Sequence, residues 1–249
     1  MGDGDPPPRA RSRRVSPVTA GPLTFGLDDD RASPAEPPLT ALRRRFDGRY
    51  PRDPFGLDPH LQDLLSPAFS LLTRVDVRGS EHIPARGAAL LVCNRGVGLL
   101  EPSALGVAVR QVRGRRLRIV GTPDLPFLGD ALRAVGGIPA YPADVAALLR
   151  AGHLAAVPLG PTWLRTGAGT PPLSVLLAAS GFPVLPVAVV PGGPVGLPLR
   201  RWRVTVGREL APARDPDDPL GAAELGEAAR AGVRALIRGK GSGVDHRGA

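Results

Sequence analysis

Two hydrophobic periods alternate along most of the chain. The segments "AALLVCN", "LAAVP" and "VLPVAVV" are short apolar runs bounded by Gly, Pro or charged residues, as expected of strands buried on both faces of a sheet. The segments "RVDVRG", "LRIVG" and "WRVTVG" complete the strand set. Between and after them a helical spacing fits residues 102–113, 126–135, 142–151, 171–180 and 219–238. In the last of these, Leu220, Leu225, Val233, Leu236 and Ile237 are assigned to one face. Ahead of the first strand, Asp58 reads as an N-cap and Pro59 as the first helical residue. Leu61, Leu64, Leu65, Ala68, Phe69 and Leu72 then repeat at helical spacing, with a kink expected at Pro67 and packing against the domain body. Strands alternating with helices predict a single α/β domain with a mostly parallel central sheet flanked by helices.

Composition sets the boundaries. Residues 1–40 are rich in Pro and Arg with no apolar period, and read as a disordered tail. Arg9, Arg11, Arg13 and Arg14 in it are available to nucleic acid or a membrane, against a plain solvated tail. The domain is placed at 41–240, with a flexible tail at 241–249. The uncharged stretch 174–199 is long enough to cross a bilayer. Its prolines at 183, 186, 191, 194 and 198 would each remove a backbone donor where no water replaces it, so a helix end followed by a core strand is expected instead.

The chain carries 32 basic and 23 acidic residues, a formal charge of +9, and Lys240 is its only lysine. That balance favours phosphate-bearing partners, whether anionic lipid, cofactor or nucleic acid. Cys93 is the single cysteine, which excludes an internal disulfide framework and a cysteine-built zinc site. With no secretory apolar segment at the start, a cytoplasmic protein is expected, or one peripheral on the inner face of the membrane.

In a sheet of this kind ligands sit beyond the carboxyl ends of the strands. Two segments should meet there, "CNRGVGLLEP" and "VPLGPTWLRTG", each with glycines that permit tight turns and close approach. An arginine, Arg95, stands where a base or nucleophile would be looked for.

The ordered set of segments resembles the glycerol-phosphate and lysophospholipid acyltransferase family over roughly residues 41–193. "VDVRGSEHIPARGAALLVCNRG" is similar to its first block, "PFLGDALRAVGGIPAYP" to its second, "LLRAGHLAAVPLGP" to the segment ending in Phe-Pro-Glu-Gly, and "ASGFPVLPVAVVPGG" to its closing strand. The resemblance implies an acyltransferase-like fold and acyl transfer from acyl-CoA or acyl carrier protein to a glycerolipid hydroxyl, with no resident cofactor or metal. It also implies that a His takes the hydroxyl proton, an Asp orients that His, and the Phe-Pro-Glu-Gly loop binds the phosphate-bearing acceptor.

This chain departs from the pattern at each reacting position. Arg95 takes the place of the His and Leu159 that of the loop Glu, while Leu100 takes that of the Asp at strict spacing, or Ser103 with a gap, Glu101 being the nearest acid. Tyr141 falls near the place of the second-block arginine. Arginine is protonated at any physiological pH and offers no acceptor lone pair, so it is no general base. Losing that base typically costs ~10²–10⁴ in rate. Arg95 and Glu101 are thus the degenerate catalytic positions. Arg95 either holds an anion in its planar fork or pairs with Glu101. Asn94, Gly96, Pro158, Leu159, Gly160 and Arg165 are the candidate substrate-binding residues. Cys93, two residues from Arg95 on the same strand face, is either a thiol activated by the guanidinium or a core residue, the core being expected. His82 and His153 precede their strands, at the far end of the sheet from the site. The run "RQVRGRRLR" reads either as a surface for the phosphates of a membrane or CoA, or as a solvated helix end.

Three functions follow. The first is a non-catalytic acyltransferase-fold protein that binds anionic membrane lipid, an acyl thioester or a partner protein. The second is an active acyltransferase with rearranged residues. The third, disfavoured by the lack of interleaved aromatics, is a nucleic-acid-binding module.

Overall fold

The structure is a computed structural model that describes residues 43, 52–95, 100–125, 128–159, 173–192, 200–210 and 218–239. The expected terminal segments 1–40 and 241–249 lie outside the described residues.

The most apolar run becomes the centre of the sheet. Strand β2 (Ala89–Asn94) pairs in parallel with β5 (Leu154–Leu159) on one side and β6 (Val184–Pro191) on the other, so Val92 lies beside Val157 and Pro186. Strands β3 (Leu117–Val120) and β4 (Gly137–Ile138) extend the parallel set beyond β5. Strand β7 (Arg200–Val206) pairs antiparallel with β6, and β1 (Thr73–Arg78) joins β7 in parallel at the edge. The order is β1-β7-β6-β2-β5-β3-β4. A single α/β domain with a mostly parallel sheet results, the edge pair β1 and β7 running against the other five. Strand β4 escapes the periodicity because its two residues are too short for an alternation to register.

Helices cover both faces. Helix α1 (Pro59–Leu72) starts as the sequence predicts, Asp58 Oδ1 accepting the Leu61 N–H at 2.9 Å, and continues past Pro67. It rests on α2 (Leu100–Arg113) and near α3 (Leu128–Ala134). Beneath α2 the residues Ala89, Leu91 and Cys93 of β2 join Leu105, Val109 and Trp202 in one buried cluster. The opposite face of β2, Leu90 and Val92, lies under α4 (Pro142–Arg150), α5 (Leu173–Ser180) and α6 (Pro219–Ile237). The uncharged stretch 174–199 divides between α5 and β6, its end at 193–199 lying outside the described residues. Among the described residues no helix is long and apolar enough to cross a membrane.

The arginine run corrects both expectations made for it. Arg110 and Arg116 share Asp63 of α1 at 2.6 and 3.0 Å. Arg113 donates to the carbonyls of Ile83 and Ser80, each at 2.7 Å. Arg115 donates to Pro84, Gly87 and Gly152 carbonyls at 3.2, 2.7 and 2.7 Å. Arg118 is buried and paired with Asp53. These guanidiniums tie loops and α1 to the sheet, so the run is neither a solvated helix end nor a free phosphate-facing surface.

Candidate functional site

Strand β2 ends on two side chains with different duties. The Asn94 amide donates to Val189 O at 2.7 Å and accepts from Val189 N at 2.6 Å. Main-chain pairing of β2 with β6 runs to Cys93 and Val187. The side-chain amide thus extends the ladder by one further step while the backbone turns away. Asn94 is a brace at the strand's carboxyl end.

Arg95 follows that brace and lines a cavity of about 480 Å³. The walls come from the carboxyl ends of three strands (Asn94 of β2, Val120 of β3, and Val157, Pro158 and Leu159 of β5), with Gly121 and Ala140 just beyond strands β3 and β4. Leu173 and Leu176 of α5 form part of the apolar wall. Helix α6 contributes Arg230, Val233, Arg234 and Ile237. The volume is that of a small-ligand site, mostly apolar with a few polar groups. Its charged groups, among the described residues, are all guanidiniums. Arg95 Nε is buried without a hydrogen-bond partner.

The structure thus brings Asn94, Arg95, Pro158 and Leu159 into one cavity. Gly96, Gly160 and Arg165 lie outside the described residues. Glu101 is buried in the first turn of α2, its Oε2 without a partner, and is not among the described residues that line the cavity. No ion pair joins it to Arg95 among the described residues, so that expectation is not met. Arg230 and Arg234 were missed because α6 was read only for its apolar face. The available signal was their spacing, since 230, 233, 234 and 237 share one side of a helix.

Cys93 is fully buried, and its thiol is pushed up from 9.0 to about 12 by burial first and by Glu101 second, with Arg95 pulling the other way. The guanidinium's pull is outweighed, and Cys93 is a core residue rather than a nucleophile. The histidines sit as expected. His82 Nδ1 lies 3.1 Å from Val206 O at the amino end of the parallel strands. The His153 ring meets Phe55 edge-on, centroids 5.8 Å apart, just before β5 begins. Neither lines the cavity.

No protein-family model matches the chain. Uncharacterized protein Mb0514 of Mycobacterium bovis and Uncharacterized protein Rv0502 of Mycobacterium tuberculosis are each 32% identical to it over 255 aligned residues, covering 79% of this chain and 71% of theirs. Uncharacterized protein ML2427 of Mycobacterium leprae is 30% identical over 79% of this chain and 69% of its own. Among solved structures, the 1-acyl-sn-glycerophosphate (LPA) acyltransferase PlsC from Thermotoga maritima matches 80% of this chain and 88% of that one, with a TM-score of 0.46 and 18% identity. That likeness is too slight to bear on chemistry. The mycobacterial identities are of another order, and the chain belongs to the family of these uncharacterized mycobacterial proteins.

Proposed function

We propose that the protein is an acyltransferase-like binding protein that takes an acyl-bearing lipid or an acyl thioester into the Arg95 cavity and leaves it unreacted, or presents it to a partner protein. The observation that carries this reading is the cavity's chemistry. Among its described lining residues there is no side chain that accepts a proton at neutral pH, and an arginine stands where the resemblance would put the base. Proton abstraction from an acceptor hydroxyl needs such a group within about 2.6–3.2 Å, directly or through one water. The apolar wall of Val120, Val157, Leu173 and Leu176 suits a hydrocarbon chain. The order of sequence blocks resembling the glycerol-phosphate and lysophospholipid acyltransferases supports an acyl-bearing ligand over other apolar ones. A cytoplasmic protein, peripheral on the membrane's inner face, accords with a lipid ligand.

The test is acyl transfer read by mass spectrometry, with mixed acyl-CoAs and a lysophospholipid pool. The natural sequence is compared with an Arg95→His, Leu100→Asp, Leu159→Glu variant. No product from the natural sequence is expected, and product from the variant, since general-base help alone is worth ~10²–10⁴ in rate. Turnover by the natural sequence contradicts the reading and points instead to an active acyltransferase using other residues.

A further inference from the structure

We infer that the cleft between α1 and α2 is a second ligand site, and that it takes one uncharged aromatic ring bearing a hydrogen-bond donor. It lies on the opposite face of the sheet from the Arg95 cavity, on Leu117 and Ile119 rather than on Val120 and Val157. The inference goes beyond the acyl-ligand reading and does not depend on it.

The cleft has a volume of about 160 Å³. Gln62 and Leu65 of α1, Gly106 and Val107 of α2 and Ile119 of β3 stand around it. Gly106 lies midway along α2, where glycine weakens a helix relative to alanine. A glycine in such a place is usually explained by a positive φ or by a neighbour too close for a Cβ. Neither applies. The Gly106 backbone is helical, and a Cβ built on it meets nothing within 4 Å. What the missing side chain leaves is open space between two helices, kept at the expense of α2.

The polar groups of the cleft select the occupant. Gln62 Oε1 is buried and meets no donor among the described residues. A buried acceptor left in that state is costly, and a hydroxyl or N–H on the ligand satisfies it. Arg110 and Arg116 also line the cleft, with N–H groups turned to Asp63 at 2.6 and 3.0 Å. An anion would have to compete with that carboxylate at close range, and a cation would meet the guanidiniums, so charge of either sign is disfavoured. An engaged guanidinium still presents its planar face, which attracts an aromatic ring. A cavity of about 150 Å³ with apolar walls takes a molecule the size of benzene. One ring fills this cleft.

Isothermal titration of the full chain with phenol, toluene, cyclohexanol and benzoate tests this. Phenol is expected to bind, cyclohexanol several-fold more weakly because it has no π face, and benzoate not at all. Gln62→Leu should weaken phenol about fivefold or more and leave toluene bound at least as tightly, since only phenol uses the amide oxygen. Gly106→Leu should abolish both by filling the cleft, whereas Val157→Trp, in the Arg95 cavity, should leave phenol binding unchanged. Gly106→Ala should melt at a higher temperature than the natural sequence, because its Cβ enters open space. A lower one would show that packing holds the glycine, and would overturn the open cleft. Circular dichroism checks that each variant folds. Absence of phenol binding overturns the site, as does phenol binding that survives Gly106→Leu. Phenol binding that survives Gln62→Leu overturns the donor, cyclohexanol bound as tightly as phenol overturns the ring, and benzoate bound as tightly overturns the uncharged class. Phenol lost in Val157→Trp would move the ring to the Arg95 cavity and overturn the inference, with the acyl-ligand reading intact.

Discussion

Asn94 and Arg95 are adjacent in sequence, yet one closes the sheet and the other opens the cavity. The sequence made Asn94 a substrate-binding candidate. The structure gives its amide two backbone partners on Val189, 95 residues away, a pairing that only strand register reveals. Asn94→Ala should therefore destabilise the fold by about 1–3 kcal/mol, by leaving the part-buried Val189 N–H and C=O unpaired. Asn94→Asp should cost no less, since a carboxylate cannot donate to the Val189 carbonyl. Urea denaturation measures both, and an unchanged midpoint would mean that the brace carries no load.

Cys93 shows the opposite balance, because its core placement was legible from its strand. With the thiol raised from 9.0 to about 12, native protein should resist alkylation at pH 8 and react on unfolding. The sign of the pH effect follows. The protonated folded thiol contributes stability that is intact below pH 9.0 and lost as pH rises towards about 12. The comparison is with Cys93→Ala, whose stability should fall less across that window.

Elements were more legible than their contacts. Helix α6 follows from its leucines and valines, and its start at Pro219 after Asp218 matches the expected opening. How closely it lies on the sheet does not. A Cβ added at Gly232 would stand 2.9 Å from Pro186 Cβ, so the glycine lets the α6 backbone touch β6 and sets the height of Arg230 and Arg234 over the cavity. A Cβ at Gly226 would meet Ser174 at an ordinary 3.7 Å. Both are Gly→Ala changes in one helix and both gain up to about 1 kcal/mol of helix propensity. Gly226→Ala should be neutral or stabilising. Gly232→Ala should lose about 1–3 kcal/mol to overpacking before that gain is counted. Thermal unfolding of the pair separates packing from propensity, and equal effects would refute the close approach. The arginine run was illegible for a related reason. Its partners, Asp53, Asp63 and carbonyls near residues 80–87 and 152, are far off in the chain, and "RQVRGRRLR" reads alike whether those partners exist or not.

For the whole molecule, the alternation of periods carries the α/β class and the parallel core, because buried central strands are apolar on both faces. The reversed edge pair β1 and β7 is not encoded in that alternation. Chain direction leaves no mark on a strand's composition, and the return from β6 to β7 passes through residues outside the described set. The charge of +9 was read as a sign of phosphate-bearing partners. Part of it is absorbed inside the fold by α2 and β3, which moves attention from the whole surface to the three guanidiniums at the carboxyl edge. The site is therefore half legible. Strand ends mark where the candidate cavity lies, and α6, beyond the recognisable segments, supplies one of its walls.

The proposed function is that of a cavity that holds an acyl-bearing ligand and does not react with it. Native mass spectrometry tests it directly, using the purified full chain incubated with acyl-CoA and a lysophospholipid pool, beside a Val157→Trp variant that fills the cavity. A retained ligand of unchanged mass is expected on the natural sequence, and its loss from the variant. Release of an acylated product, or a ligand held equally well with the cavity filled, would contradict it.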